Sequence, residues 1–151
     1  MKKLFLALPF LLLLNACDNI AQEEIIISQN DLNTSISKLQ DIIKKKGLTL
    51  FSRIDHQANA QKVGLSLHPE TVVIFGNPNV GTTLMQCNPS MGLDLPLHIL
   101  VKTNEDNQTS IHYFNPLSWK IKYNIQEEKC LTILDKTAEA MQKITQAMAM
   151  P

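Results

Sequence analysis

The alternation of apolar and polar positions sets out most of the elements before any other property is considered. Ile25-Ile26-Ile27 is a β-branched run inside Glu23 to Ser28 and predicts a short strand. Leu32, Ile36, Leu39 and Ile43 recur at helical spacing, with Asp31 or Asn33 placed to cap the helix start. Lys44-Lys45-Lys46 complements the negative end of that helix, and Gly47 supplies a left-handed stop. Leu48 to Asp55 then alternates, which predicts a strand that packs one face through Leu48, Leu50 and Ile54.

Farther along, His56 to Leu65 is rich in Ala and Gln and reads as a short helix. Thr71 to Phe75 is continuous and apolar, as in a central strand, and Gly76-Asn77-Pro78 reads as the turn that closes it. Gly81 to Asn88 suits a short helix stopped by Pro89. Leu97 to Lys102 and Ser110 to Phe114 predict a hairpin around the polar turn Asn104-Glu105-Asp106-Asn107. Ile125 to Met148 predicts a long closing helix with Leu131, Leu134, Ala138, Met141, Ile144 and Met148 on its apolar stripe. One-faced strands and one-striped helices together imply a two-layer α+β domain, residues 23–150.

The amino terminus follows a different logic. Two lysines precede an apolar run from Leu4 to Leu14, about 16 Å long as a helix and so too short to span a bilayer. Residues 1–16 therefore read as an export signal. Leu14-Asn15-Ala16-Cys17 resembles the lipobox of bacterial lipoproteins, although Asn15 is less usual than Ala or Ser there. That resemblance implies cleavage before Cys17, acylation of its thiol, and anchoring in a membrane of the cell envelope, facing the periplasm or the exterior. A signal peptide cut after Ala16, leaving Cys17 a free thiol, is the alternative. Asp18 resembles the inner-membrane retention signal of enteric lipoproteins, and residues 17–22 form only a short tether.

Within the domain a second resemblance emerges. Ile54-Asp55-His56, Phe75-Gly76-Asn77-Pro78, Gly81-Thr82, Met85, Pro89 and Asp94-Leu95-Pro96-Leu97 resemble the domain of unknown function 302 family, over about residues 25 to 148. The resemblance implies a TATA-binding-protein-like arrangement, an antiparallel sheet with helices packed on one side. It also implies homodimers as a known state of such structures, and it supplies no catalytic residues.

The side chains that could carry chemistry each have two readings. Asp55 either caps the following helix or orients His56 as a general base. Gly76, Asn77, Pro78, Gly81 and Thr82 form either a structural turn or a cradle of N–H groups for an anion, without the spacing of a phosphate loop. Asp94, before Leu95-Pro96, is a turn former or a further acid. His98 and His112 fall on the two hairpin strands, but zinc needs three or four ligands and no such spacing exists, so no metal or cofactor is expected. Cys87 and Cys130 are an even pair once Cys17 is lipidated, and a disulfide and two buried thiols both remain open. Trp119 and Tyr123 either rest at a lipid surface or pack a loop onto the sheet.

Charge and composition narrow the function classes. The chain has 151 residues with 14 Lys+Arg against 14 Asp+Glu; removal of Lys2 and Lys3 with the signal leaves 12 basic side chains. A near-neutral domain is not built to grip nucleic acid, and acyl chains would do the anchoring without a polybasic patch. The expected function is a non-enzymatic envelope lipoprotein that binds a small apolar ligand or a protein partner. The rivals are a hydrolase-like enzyme using Asp55, His56, Asn77 and Asp94, and a structural dimerisation module.

Overall fold

The computed structural model describes residues 23–151. The expected signal segment 1–16, the expected lipidation site Cys17 and the expected tether to residue 22 lie outside the described residues. In chain order the elements are strand β1 (Glu23–Ile27), helix α1 (Leu32–Lys45), β2 (Thr49–Asp55), α2 (His56–Lys62), β3 (Glu70–Gly76) and α3 (Pro78–Cys87). A 3-10 turn (Pro89–Leu93) leads to β4 (Leu97–Thr103) and β5 (Thr109–Phe114). A second 3-10 turn (Pro116–Ser118), the one-turn helix α4 (Trp119–Lys122) and the long helix α5 (Glu128–Ala149) complete the domain. The five strands form one antiparallel sheet in the order β1-β5-β4-β3-β2. Among the described residues no helix is long and apolar enough to cross a membrane.

Local chemistry accounts for the element ends. The Asp31 carboxylate accepts from Thr34 N at 2.8 Å and caps α1, while Gly47 (φ +64°) ends it where a side chain would be strained. Asn107 (φ 60°) turns the β4–β5 hairpin, and Asn104 accepts from Asp106 N and Gln108 N inside it.

One face of the sheet carries Val73, Phe75, Ile99, Val101, Ile111 and Tyr113, all buried against Ile36, Leu39 and Ile43 of α1 and Met141, Ile144 and Met148 of α5. A second core lies around the other half of α5, where Cys130 and Leu134 meet Leu84, Met91, Trp119, Tyr123 and Ile125. At 22 residues, about 33 Å, α5 is long enough to serve both cores. Its buried stripe runs through Cys130, Leu134, Thr137, Met141, Ile144 and Met148, so the expected Leu131 and Ala138 are replaced at the centre by Cys130 and Thr137, one position earlier.

One expectation changes, and one pair of alternatives is decided. Strand β2 does not pack one face: it is the sheet edge, with Leu50 42% and Phe51 48% exposed. A bulge between Leu50 and Ser52 breaks the alternation, so Leu50 pairs with Phe75 on the helix-covered face and Ile54 with Val72 on the opposite one. Trp119 and Tyr123 are also not at a surface. They are buried in the second core, against α5 and beside Leu97 of β4, which is the packing alternative and not the lipid-surface one.

Candidate functional site

Strand β3 delivers the site. Gly76 ends the strand, the Asn77 side chain accepts from Asn79 N at 3.0 Å, and Pro78 occupies the first position of α3. The segment read as a turn is thus a capped helix start, because Pro needs no N–H there and its fixed φ suits the helix. Gly76 is buried, and a Cβ at this position would meet Pro96 Cβ and Leu97 N at 3.9 Å and the Phe51 ring at 4.0 Å. The missing side chain leaves the floor of an opening between α3, α5 and the Leu95-Pro96-Leu97 segment, whose Leu95–Pro96 peptide is cis.

That opening is an apolar groove with two lobes. The outer lobe, about 270 Å³, is lined by Phe51, Pro78, Gly81, Thr82, Met85 and Pro96, among others. The inner lobe, about 250 Å³, runs along α5 past Ile133, Lys136, Ala140 and Ile144 to Leu48 and Phe75. Gly76, Asn77, Val80, Leu97 and Thr137 line both, so the lobes adjoin. In the wall the Thr137 hydroxyl donates to Ile133 O at 2.8 Å, and Asn77 O accepts from Gly81 N at 2.9 Å. Lys136 is the charged residue of the wall among the described residues. A slot walled mostly by apolar side chains is suited to holding a hydrocarbon surface.

The sequence motif and the groove coincide closely. Phe75, Gly76, Asn77, Pro78, Gly81, Thr82 and Pro96 all line one or both lobes. Asp55, His56 and Asp94 do not. Asp55 lies at the other end of β2, paired with Thr71 while Thr49 pairs with Gly76, about 20 Å away at ~3.3 Å per residue. Its carboxylate accepts from Ala58 N at 2.8 Å, so it caps α2, with His56 as the first residue of that helix. Asp94 instead accepts from Tyr123 Oη at 2.6 Å and Lys122 Nζ at 2.7 Å. Burial pushes the Asp94 carboxyl up, but those two hydrogen bonds and the Lys122 charge outweigh it and hold the group below its ordinary value. The same contact raises the Lys122 ammonium, and burial with the neighbouring carboxylate raises the Tyr123 phenol. Asp55, His56, Asn77 and Asp94 therefore share no common point.

The two hairpin histidines do not face each other. His98 pairs with Ile74 across β3, while His112 pairs with Leu100 across β4 and with Ile25 across β1. His112 carries a constellation that the sequence did not reveal. Its Nδ1 lies 2.8 Å from Glu23 Oε1 and its Nε2 2.8 Å from Ser110 Oγ, on the sheet face away from α1 and α5. The serine–histidine–carboxylate order resembles a hydrolase relay, but β5 is paired on both sides, so its N–H groups are engaged in the ladders and cannot bind an oxyanion. The network serves to satisfy a histidine that is only 6% exposed. The i, i+2 spacing of Ser110 and His112 was its only signal in the sequence, because Glu23 comes from a strand 89 residues away.

Cys87, the last residue of α3, and Cys130, the third of α5, form a disulfide with Cα atoms 6.7 Å apart, within the span such bonds accept. It ties the groove's α3 wall to its α5 wall. Glu127, next to the start of α5, places Oε2 3.5 Å from Cys87 Sγ.

Comparison with known proteins agrees with this architecture. The family described as "Domain of unknown function DUF302" matches residues 24–148. A crystal structure of an uncharacterized conserved DUF302 protein from Bacillus stearothermophilus superposes with a TM-score of 0.73 at 16% identity, covering 83% of this chain and 97% of that one. Over 73 residues, 48% of this chain, the sequence is 41% identical to proteins named fluoride-specific ion channel FluC 1, from Brucella suis biovar 1 (strain 1330) and Brucella abortus biovar 1 (strain 9-941). The match spans only 29% and 27% of those relatives.

Proposed function

Because this chain belongs to the DUF302 family, whose description names a domain and no reaction, its role must come from its own surfaces, and we propose that it is an envelope lipoprotein whose domain binds a small apolar ligand in the two-lobed groove. One observation carries the reading. The motif from Phe75 to Thr82, together with Pro96, which is remote in sequence, converges on a single apolar slot. A ligand there would remove hydrocarbon surface from water on both sides, at about 25 cal/mol per Å².

The test is titration of the domain with N-phenyl-1-naphthylamine, an uncharged apolar fluorophore. Residues 23–151 are a suitable unit, since the same fold spans 97% of the Bacillus stearothermophilus chain. Saturable enhancement at one site, lost when the groove is filled by mutation, supports the reading. Enhancement that persists in the filled variant would end it.

The anchoring half of the proposal rests on Leu14-Asn15-Ala16-Cys17. Two or three acyl chains give stable attachment where one gives marginal binding. The FluC relatives are named as ion channels, so a segment similar to this chain occurs in membrane proteins. Cys17→Ser is expected to move the protein from the membrane fraction to the soluble one.

A second reading has its own observation. Ile25, Ile27 and Phe114 are 56%, 53% and 48% exposed on the sheet face opposite α1 and α5, an uncovered apolar strip that favours the dimerisation role. Light scattering of the domain and of Ile25→Lys separates the two readings, because that substitution leaves the groove untouched.

A further inference from the structure

We propose that Cys87, Cys130 and Glu127 form a binding site for a thiophilic divalent cation of the zinc class, available when the Cys87–Cys130 disulfide is reduced. The three ligand atoms lie within 4.8 Å of one another, and they come from both sides of the junction between α3 and α5. Ligand atoms around a tetrahedral zinc stand roughly 3.5 Å apart, given Zn–S and Zn–O bonds of about 2.3 and 2.1 Å. The cluster is therefore already near the right size once the sulfurs are free to part. Three protein ligands leave a fourth position for water, and the exposure gradient supplies a path to it. Glu127 is exposed, Cys87 half-buried, and Cys130 forms the floor.

The electrostatics favour a cation over the empty reduced pair. Cys130 sits in the first turn of a 22-residue helix, where the positive end of the helix dipole stabilises a thiolate. Cys87 sits at the last turn of α3 with the Glu127 carboxylate beside it, so a second thiolate there is opposed by negative charge. A divalent ion relieves that repulsion directly. The chemistry balances in two steps. A dithiol reductant transfers two electrons and two protons to the S–S bond and leaves as its own disulfide, giving two thiols; the cation then binds both sulfurs and displaces two protons. Disulfide and metal exclude each other, so the same two cysteines report redox state as either a covalent tie or a bound ion.

The deciding experiment uses Cd²⁺, whose thiolate complexes absorb in the near ultraviolet, on the full chain carrying Cys17→Ser so that two cysteines remain. The chain is reduced, freed of reductant without air, and titrated. One equivalent of Cd²⁺ with thiolate-to-metal absorption is expected, with none in the oxidised chain or in Cys87→Ser. Glu127→Gln should weaken binding at least tenfold while the absorption at saturation persists. Absence of the band in the reduced chain, or an unchanged affinity in Glu127→Gln, overturns the proposal. If reduction alone loosens the fold, Cd²⁺ must restore the native circular dichroism of the reduced chain but not of Cys87→Ser; failure to do so overturns it equally.

Discussion

The Tyr123 hydroxyl donates to the Asp94 carboxylate across 2.6 Å, and this bond joins the 3-10 turn after α3 to the end of α4. Tyr123 is buried, so removing its hydroxyl leaves the partly exposed Asp94 with Lys122 as its remaining partner. Tyr123→Phe is expected to cost about 1–2 kcal/mol in urea unfolding at neutral pH. The pH dependence has a definite sign. Asp94 is held below its ordinary value when folded, so its contribution is complete above about pH 4 and is lost as pH falls through the folded value. In Tyr123→Phe that acid-side loss of stability should be shallower.

Filling the groove separates binding from folding. A Cβ on Gly81 meets nothing within 4 Å, and the residue lies inside α3 on the wall of the outer lobe. Gly81→Leu should abolish N-phenyl-1-naphthylamine binding and raise stability by up to about 1 kcal/mol, since Gly is a poor helix former. Loss of stability together with loss of binding would mean that the groove is packing space and not a site.

The disulfide closes a loop of 43 residues between α3 and α5. Chain-entropy arguments put its contribution at about 2–4 kcal/mol. Cys87→Ala/Cys130→Ala should lower the thermal midpoint accordingly, and adding reductant to that variant should change nothing further.

His112 holds both Ser110 and Glu23, so it fastens the first residue of β1 to the sheet. His112→Ala is expected to cost about 1–2 kcal/mol by leaving hydrogen-bonding groups unmatched. Amide exchange should accelerate most at Ile25 and Ile26, next to the freed end. No esterase activity should be lost with it, because β5 offers no oxyanion donors.

What could be read from the chain, and what could not, follows from the range of each signal. Helix α1 was legible because its stripe, its Asp31 cap and its Gly47 stop are all local. The start of α3 was misread because Asn77-Pro78 is equally good turn and helix-start chemistry, and only packing decides. Strand β2 itself is legible but its packing is not, because a bulge at Phe51 leaves no mark on the alternation until the register is known. The groove was half legible. Its Gly76 and Gly81 side stood out as a motif, whereas Phe51 and Thr137 reach the same wall from distant elements and carry no pattern of their own. Glu127 carries no signal for a similar reason: it precedes Cys130 by three residues, but its relation to Cys87 exists only once α3 and α5 are in place.

The shared use of α5 by both cores has a kinetic consequence. A rod embedded at one end beside α1 and at the other beside Trp119 resists hinging, so the groove between the cores cannot open by their separation. The slot is already open at its outer lobe, where exposed Pro78 and Thr82 stand across from Phe51 at the bulge of edge strand β2. Exchange of the proposed ligand is therefore expected to need no movement of α5 and to stay insensitive to anything that stiffens that helix.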